Sequence, residues 1–336
     1  MPTTPPASTG AHGVPDARFA KLARGINLSH WFAQAPRYER DHFQSYITAE
    51  DVRLIKSLGF GHVRFTLNPV ILLNEHDPAA LNKENQAYVD AALDMLLEQN
   101  LAVIVDLHLE DDFKLCLRDD DKAVSTFVRF WHALAKYLSA RDGEQVFLEV
   151  LNEPVLRDAE RWASIQVQLL AAMREGAPDH TLIATAHKWF SLTELLMLEP
   201  LADRNVVYNF HCYDPHIFTH QGSTWSMPYL PFLEYLPYPS SPQALEPLLL
   251  EVEDERARQA AREYGEERWD AAKIDAWIAQ AAAWGEQHNV RLTCNEFGVY
   301  RRKSRLEHRN PWIRDVRTSL EQHNIGWTMW DYAGGF

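Results

Sequence analysis

Short apolar, β-branched runs alternate along the chain with longer segments whose apolar residues recur every three to four positions. The first kind reads as buried strands at 23–29, 62–68, 101–108, 146–152, 182–186, 206–213, 291–296 and 325–330. The second kind reads as amphipathic helices near 49–58, 84–99, 122–139, 160–175, 191–198, 269–288 and 310–323. Thr48, placed ahead of Glu50 and Asp51, is the expected N-cap of the first of these helices. Strict strand–helix alternation builds a parallel sheet from βα units. Eight strands at these intervals predict an α/β fold of the (β/α)8 TIM-barrel kind, as a single domain over 21–336. No Gly-rich fingerprint follows the first strand, which argues against an open dinucleotide-binding sheet. Residues 1–20 read as a disordered lead-in, the start being rich in Pro, Thr, Ser and Gly. The chain as read stops shortly after the eighth strand, so the barrel's final helix is expected to be absent. The longest interruption, 215–267, is a βα loop after strand six and should wall the mouth of the barrel, unless it packs on itself as a surface lobe. Its charged second half, 251–267, is expected to be an exposed helix.

Composition narrows the partners. The 336 residues are 46 % hydrophobic and 24 % charged, ordinary values for a globular chain. A formal charge of −14 excludes nucleic acid and an anionic membrane surface as expected partners, since both require a basic footprint. Eleven tryptophans suit a neutral, ring-shaped ligand, because an indole stacks on a sugar face, although most should be packing residues. Cys116, Cys212 and Cys294 form neither a CxxC nor a zinc spacing and are expected as free thiols. Side-chain alternation aims Cys212 out of the barrel and Cys294 into it. No run is long enough to span a membrane. The start lacks a basic segment followed by an apolar one, so no signal peptide is visible. Secretion would need a leader already removed, and compartment stays open.

Two acidic residues stand where strands surface. Asn152-Glu153-Pro154 closes the run 146–151, and Asn295-Glu296-Phe297-Gly298 closes the run 291–294. In a closed barrel, distant strand ends converge on one face. Two carboxylates there can flank a sugar ring as glycoside hydrolysis requires, although strand-end glutamates also pair by chance.

Further strand ends carry Arg64 in His62-Val63-Arg64-Phe65, His108 in Val105-Asp106-Leu107-His108, His211 and Tyr213 in His211-Cys212-Tyr213, and Trp330 on the eighth strand. In this order the landmarks resemble glycoside hydrolase family 5, the cellulase family of the retaining (β/α)8 clan, from about residue 24 to the end. The resemblance implies an endo-β-1,4-glucanase acting by double displacement on a β-linked polysaccharide or oligosaccharide, with no cofactor and no metal. It implies Glu153 as acid/base and Glu296 as nucleophile. Arg64 would keep Glu296 ionised, or form a core ion pair with Glu149. Asn152 would donate to the sugar 2-hydroxyl, Tyr213 would bond the nucleophile, and His211 would bond the sugar or Glu153. His108 would contact substrate and Trp330 would floor the site. Trp31 and Trp189 are stacking candidates by position alone.

Other readings remain at this point. Within the same fold, β-mannanase, lichenase and β-1,3-glucanase activities, and chain-end rather than internal attack, are alternatives. A metal-dependent barrel hydrolase is suggested by His108, Glu110, Asp106 and Asp111, but strand one offers only His30 where such sites usually carry His-x-His. A sugar-binding barrel without turnover has no need of both glutamates.

Overall fold

The computed structural model describes residues 13–74, 76–156 and 158–336. Eight parallel strands close a barrel in chain order: β1 (Arg24–Phe32), β2 (His62–Leu67), β3 (Ala102–Leu107), β4 (Val146–Glu149), β5 (Leu182–Thr185), β6 (Val206–Cys212), β7 (Arg291–Phe297) and β8 (Gly326–Met329). Closure is made where Gly25 of β1 pairs with both His62 of β2 and Thr328 of β8. The strands are buried on both faces, which is why they read as continuous apolar runs. All eight expected strands are present. The seven expected helices appear as Ala49–Ser57, Lys83–Glu98, Asp121–Leu138, Ala159–Gly176, Leu192–Leu196, Ala271–His288 and Leu306–Gln322. Thr48 caps the first of them in a reciprocal box: its hydroxyl accepts from the Asp51 N–H, and the Asp51 carboxylate accepts from the Thr48 N–H at 2.8 Å. No helix among the described residues is long and apolar enough to cross a membrane.

Inward positions form layers. Ile104, Phe147 and Val207 lie two residues before Asp106, Glu149 and Asn209, on the same strand faces. With Ala102 and Ile183 they form an apolar cluster that also contains Val14, Phe19 and Leu22. This corrects part of the expected disordered lead-in. Residues 1–12 lie outside the described residues, but Asp16–Phe19 is a short helix whose apolar side plugs the lower end of the barrel. Arg18 and Lys21 tie it down, with the Lys21 ammonium donating to the Glu144 carbonyl at 2.7 Å. Burial of Val14 and Phe19 outweighs the Pro- and Gly-rich composition that suggested disorder.

The 215–267 insertion contains Pro242–Glu251 and Glu255–Glu267. The second helix is exposed on one face only. Ala257, Ala261 and Tyr264 are buried, and the Tyr264 hydroxyl donates to the Pro237 carbonyl at 2.7 Å. Tyr238 reaches Asp315 on helix Leu306–Gln322 at 3.0 Å, fastening the insertion to the barrel wall. Its opening turn borders the upper end, where the His220 ring meets that of Tyr213 at 5.0 Å.

Barrel closure leaves no room for a β-carbon at Gly25. One built there would lie 2.1 Å from His62 Nε2. That ring cannot swing away freely, because Nε2 pairs with Thr328 Oγ1 at 2.8 Å and Nδ1 with the Lys21 carbonyl at 3.1 Å. Burial holds His62 neutral, its pKa pushed down to about 3. Gly25→Ala is expected to destabilise the protein by about 1–3 kcal/mol through overpacking. The measurement is the denaturant midpoint, which should fall while the spectrum of the folded state is kept.

Candidate active site

The site begins with Arg64, fully buried in the middle of β2. Its Nε and Nη2 donate to Glu149 at 3.0 and 2.8 Å. Nη2 also reaches Asn152 Oδ1 at 2.9 Å and Asp106 at 3.1 Å. Nη1 donates to Asn27 Oδ1 at 3.0 Å and to Glu296 Oε1 at 2.6 Å. One guanidinium therefore serves three carboxylates, and the two expected partners, Glu149 and Glu296, are both engaged. Glu149 is completed by Asn209 at 3.2 Å and Asn295 at 2.6 Å. Burial pushes the Asp106 carboxyl up to about 6 despite Arg64.

Glu153 and Glu296 converge on the upper face. Their nearest carboxylate oxygens, and Nδ1 of His211, all lie within 4.8 Å of one another. His211 Nδ1 is 2.9 Å from Glu153 and 3.5 Å from Glu296. The Tyr213 hydroxyl donates to the other Glu296 oxygen at 2.9 Å. The two acids differ in support. Glu296 is 6 % exposed and held by a cation and a phenol, whereas Glu153 is 23 % exposed and bonded only to His211 among the described residues. Burial raises the pKa of both, and proximity raises that of Glu296 further. Direct contact with Arg64 opposes the rise at Glu296. At Glu153 the rise is opposed by the charges of Lys114 and Arg64.

Burial drives His211 and His108 to neutrality, to about 4 and about 3. Both carboxylates face Nδ1 of His211, while its Nε2 is buried without a partner and the ring packs edge-on against Phe190 at 4.4 Å. The network therefore places the ring proton on Nδ1. Likewise His108 Nδ1 faces Asp106 at 3.1 Å, and its Nε2 accepts from Asn152 at 3.3 Å. The Asn152 amide keeps a second hydrogen for a ligand. Trp330 lies parallel to the His108 ring, centroids 5.6 Å apart, and is mostly buried.

Two local irregularities aim consecutive side chains at one place. In β7, Phe210 pairs with Cys294 but His211 pairs with Glu296, so one residue is bulged. Asn295 and Glu296 consequently both face inward, to Glu149 and Arg64. This overturns the expected orientation of Cys294. It shares its face with Leu292, which packs against helix Ala271–His288 at Gly285, and so points outward into the apolar shell. All three cysteines are free. At β4, Glu153 adopts φ +42, a left-handed conformation that costs on the order of 1–3 kcal/mol for a non-glycine residue. This bend lets Asn152 and Glu153 face the same cleft.

Trp31 is not a stacking platform. It is buried, donates from Nε1 to the Phe43 carbonyl at 2.8 Å and packs on Phe32 and Phe65. Trp189, 58 % exposed, does lie open after β5. The residues behind the metal reading do not converge: Asp106 bonds both His108 and Arg64, while Glu110 turns outward to Asn68 and Tyr38. Glu153, His211 and Glu296 have ligand-like spacing. Their inward atoms are already paired with one another, Arg64 and Tyr213. Asn27, Asn209 and Asn295 escaped sequence reading; spacing two residues before His211 marks Asn209, but the bulge that turns Asn295 inward leaves no such trace.

Removing the central cation would leave three buried carboxylates uncompensated. Arg64→Met is expected to cost about 3–5 kcal/mol at neutral pH. The deficit should shrink as pH falls toward 5. Carboxyls whose folded pKa is raised, such as Asp106 at about 6, bind protons in the folded state before the unfolded state does, so folding gains relative stability there. Denaturation of both proteins at pH 7 and pH 5 checks the sign.

Comparison with known proteins agrees with the geometry. The profile of Cellulase (glycosyl hydrolase family 5) matches residues 23–335. Endoglucanase C of Acetivibrio thermocellus is 30 % identical over 315 residues, covering 92 % of this chain and 90 % of the relative. Cellodextrinase A of Ruminococcus flavefaciens is 25 % identical over 313 residues, covering 90 % and 83 %. The crystal structure of endoglucanase Cel5A from Thermotoga maritima superposes with a TM-score of 0.77 at 23 % identity, covering 95 % of this chain and 92 % of that one, which speaks to the fold. With a matching profile over nearly its whole length, a barrel of the same kind and paired glutamates at its mouth, this chain belongs to glycoside hydrolase family 5.

Proposed function

We propose that the protein is a retaining endo-β-1,4-glucanase that cleaves β-glucan by double displacement. The observation that carries the mechanism is the separation of the two carboxylates. Oxygens within 4.8 Å leave no space for a water between them and an anomeric carbon, which inversion would need at about 6.5–9.5 Å. The choice of substrate rests on the likeness to Endoglucanase C.

In the first step, one Glu296 oxygen attacks the anomeric carbon while the Glu153 proton moves to the departing glycosidic oxygen. Glu296 is the nucleophile because Arg64 and Tyr213 keep it ionised and point it into the cleft. Glu153 is the acid because, among the described residues, no cation contacts it directly and burial raises its pKa. In the second step, Glu153, now ionised, takes a proton from water, whose oxygen attacks the same carbon and releases Glu296. His211 stays neutral throughout and steers Glu153 through Nδ1. Asn152 offers its free amide hydrogen to the 2-hydroxyl, an interaction that strengthens as positive charge develops on the ring. Trp330, stacked over His108, floors the reacting sugar.

Glu296→Ala should remove turnover by 10³-fold or more, while cello-oligosaccharide binding stays measurable by calorimetry. A variant retaining its hydrolysis rate would refute the nucleophile. Glu153→Ala should lose about 10²–10⁴-fold on natural glucan but far less on aryl glycosides with good leaving groups, which need no acid. For the substrate, carboxymethylcellulose should lose viscosity well before reducing ends accumulate. Reducing ends confined to mannan or laminarin would overturn the glucan assignment.

A further inference from the structure

The acid/base glutamate is carried by a loop whose backbone is tied down at a single residue. From Glu153, with φ +42, the chain runs through Pro154 and Val155 to Leu156, ahead of helix Ala159–Gly176. Pro154 has no N–H to give. Among the described residues, the only backbone groups of 153–156 that form hydrogen bonds are the N–H and carbonyl of Leu156. Both meet one atom, Nε2 of His187, at 3.1 and 3.3 Å.

His187 stands just past β5, the strand beside β4 in the barrel. It is 4 % exposed, so water does not compete for these contacts. The shorter contact, from the Leu156 N–H, needs the lone pair on Nε2 and therefore the ring proton on Nδ1. Nδ1 lies 3.9 Å from one Glu194 oxygen, and the other Glu194 oxygen pairs with Lys188 at 3.0 Å. The imidazole thus has a carboxylate behind it and presents its other nitrogen to the loop.

The same turn serves Glu153 a second time. Phe190, three residues on, packs against the His211 ring at 4.4 Å, and its carbonyl accepts from the His211 N–H at 3.0 Å. His211 in turn bonds the Glu153 carboxylate at 2.9 Å. One route from the turn after β5 therefore reaches the Glu153 side chain through Phe190 and His211. The other reaches its backbone through His187 and Leu156. A left-handed non-glycine residue persists only where its surroundings over-determine it, and His187 supplies that constraint on the C-terminal side of Glu153. Resting on the acid/base assignment above, we propose that His187 is a positioning residue for Glu153, holding Leu156 so that the turn aims the acid at the leaving oxygen. It touches no reacting atom. Its loss slows cleavage that needs a proton donor and spares cleavage that does not.

The test compares two aryl β-cellobiosides, one releasing dinitrophenol, which departs unprotonated, and one releasing phenol, which needs the acid. His187→Leu removes the acceptor and leaves the buried Leu156 N–H unpaired. Its kcat/KM should fall about 10- to 100-fold on the phenyl glycoside, as for a small misplacement of a catalytic group, and by less than about threefold on the dinitrophenyl one. His187→Gln should restore the phenyl rate, because an amide can both accept from the Leu156 N–H and donate to its carbonyl. Equal losses on the two substrates, or no loss, in folded His187→Leu would overturn the proposal, since a merely structural role lowers every rate alike. Should the Leu variant not fold, His187→Asn, whose shorter amide does not reach Leu156, replaces it and the same outcomes decide. Glu153→Ala is run in parallel. If it lacks the leaving-group dependence, the acid/base assignment fails and takes the proposal with it; if it shows the dependence and His187→Leu does not, the positioning role alone fails.

Discussion

A single buried guanidinium organises the catalytic end of this barrel. Arg64 cannot be solvated where it sits, so it must be surrounded by acceptors, and Asn27 on β1, Asp106 on β3, Glu149 on β4, Asn152 just after it and Glu296 on β7 supply them. Those acceptors in turn cannot be buried without a cation. The mutual requirement fixes the height and angle of each strand end more tightly than apolar packing would, because hydrogen bonds have direction where dispersion does not. The apolar layer beneath, closed by Phe19 and Leu22, keeps water from competing for these bonds from below.

From that arrangement follows the asymmetry on which hydrolysis depends. Both glutamates are acidic side chains at strand ends, and burial pushes both toward the protonated form. What separates them is which one touches Arg64. The left-handed turn at Glu153 and the bulge beside Glu296 are the local costs of bringing each carboxylate to its place. His211 then links them through one nitrogen, its other face sealed by Phe190, so the ring holds its proton and does not supply it.

The upper walls are built from less regular chain. The insertion after β6 is anchored by aromatic and tyrosyl contacts to helix Leu306–Gln322 and meets the site through His220 against Tyr213. Trp189 is the middle of three consecutive residues with positive φ, Lys188, Trp189 and Phe190. The same turn buries Phe190 against His211, so the exposed indole and the packed histidine share one backbone bend.

Periodicity alone determined the eight strands, the main helices and the placing of Glu153, Glu296, His211 and Tyr213 at strand ends, because burial on both faces leaves continuous apolar runs that are broken where the chain surfaces. Arg64, expected at a strand end, lies mid-strand in β2 instead. Periodicity missed helix Asp111–Asp119, whose acidic ends and mixed pattern hide its buried Lys114, and it took a plugging N-terminal turn for disorder. Alternation also misplaced Cys294 and left Trp31 as a sugar platform. These errors have one cause: a bulge, a left-handed residue or a long-range docking changes the direction of side chains without changing local composition. Which residues lie on the strands was written in the chain; which of them converge on one site was decided only when Arg64 and its carboxylates closed on one another across the barrel.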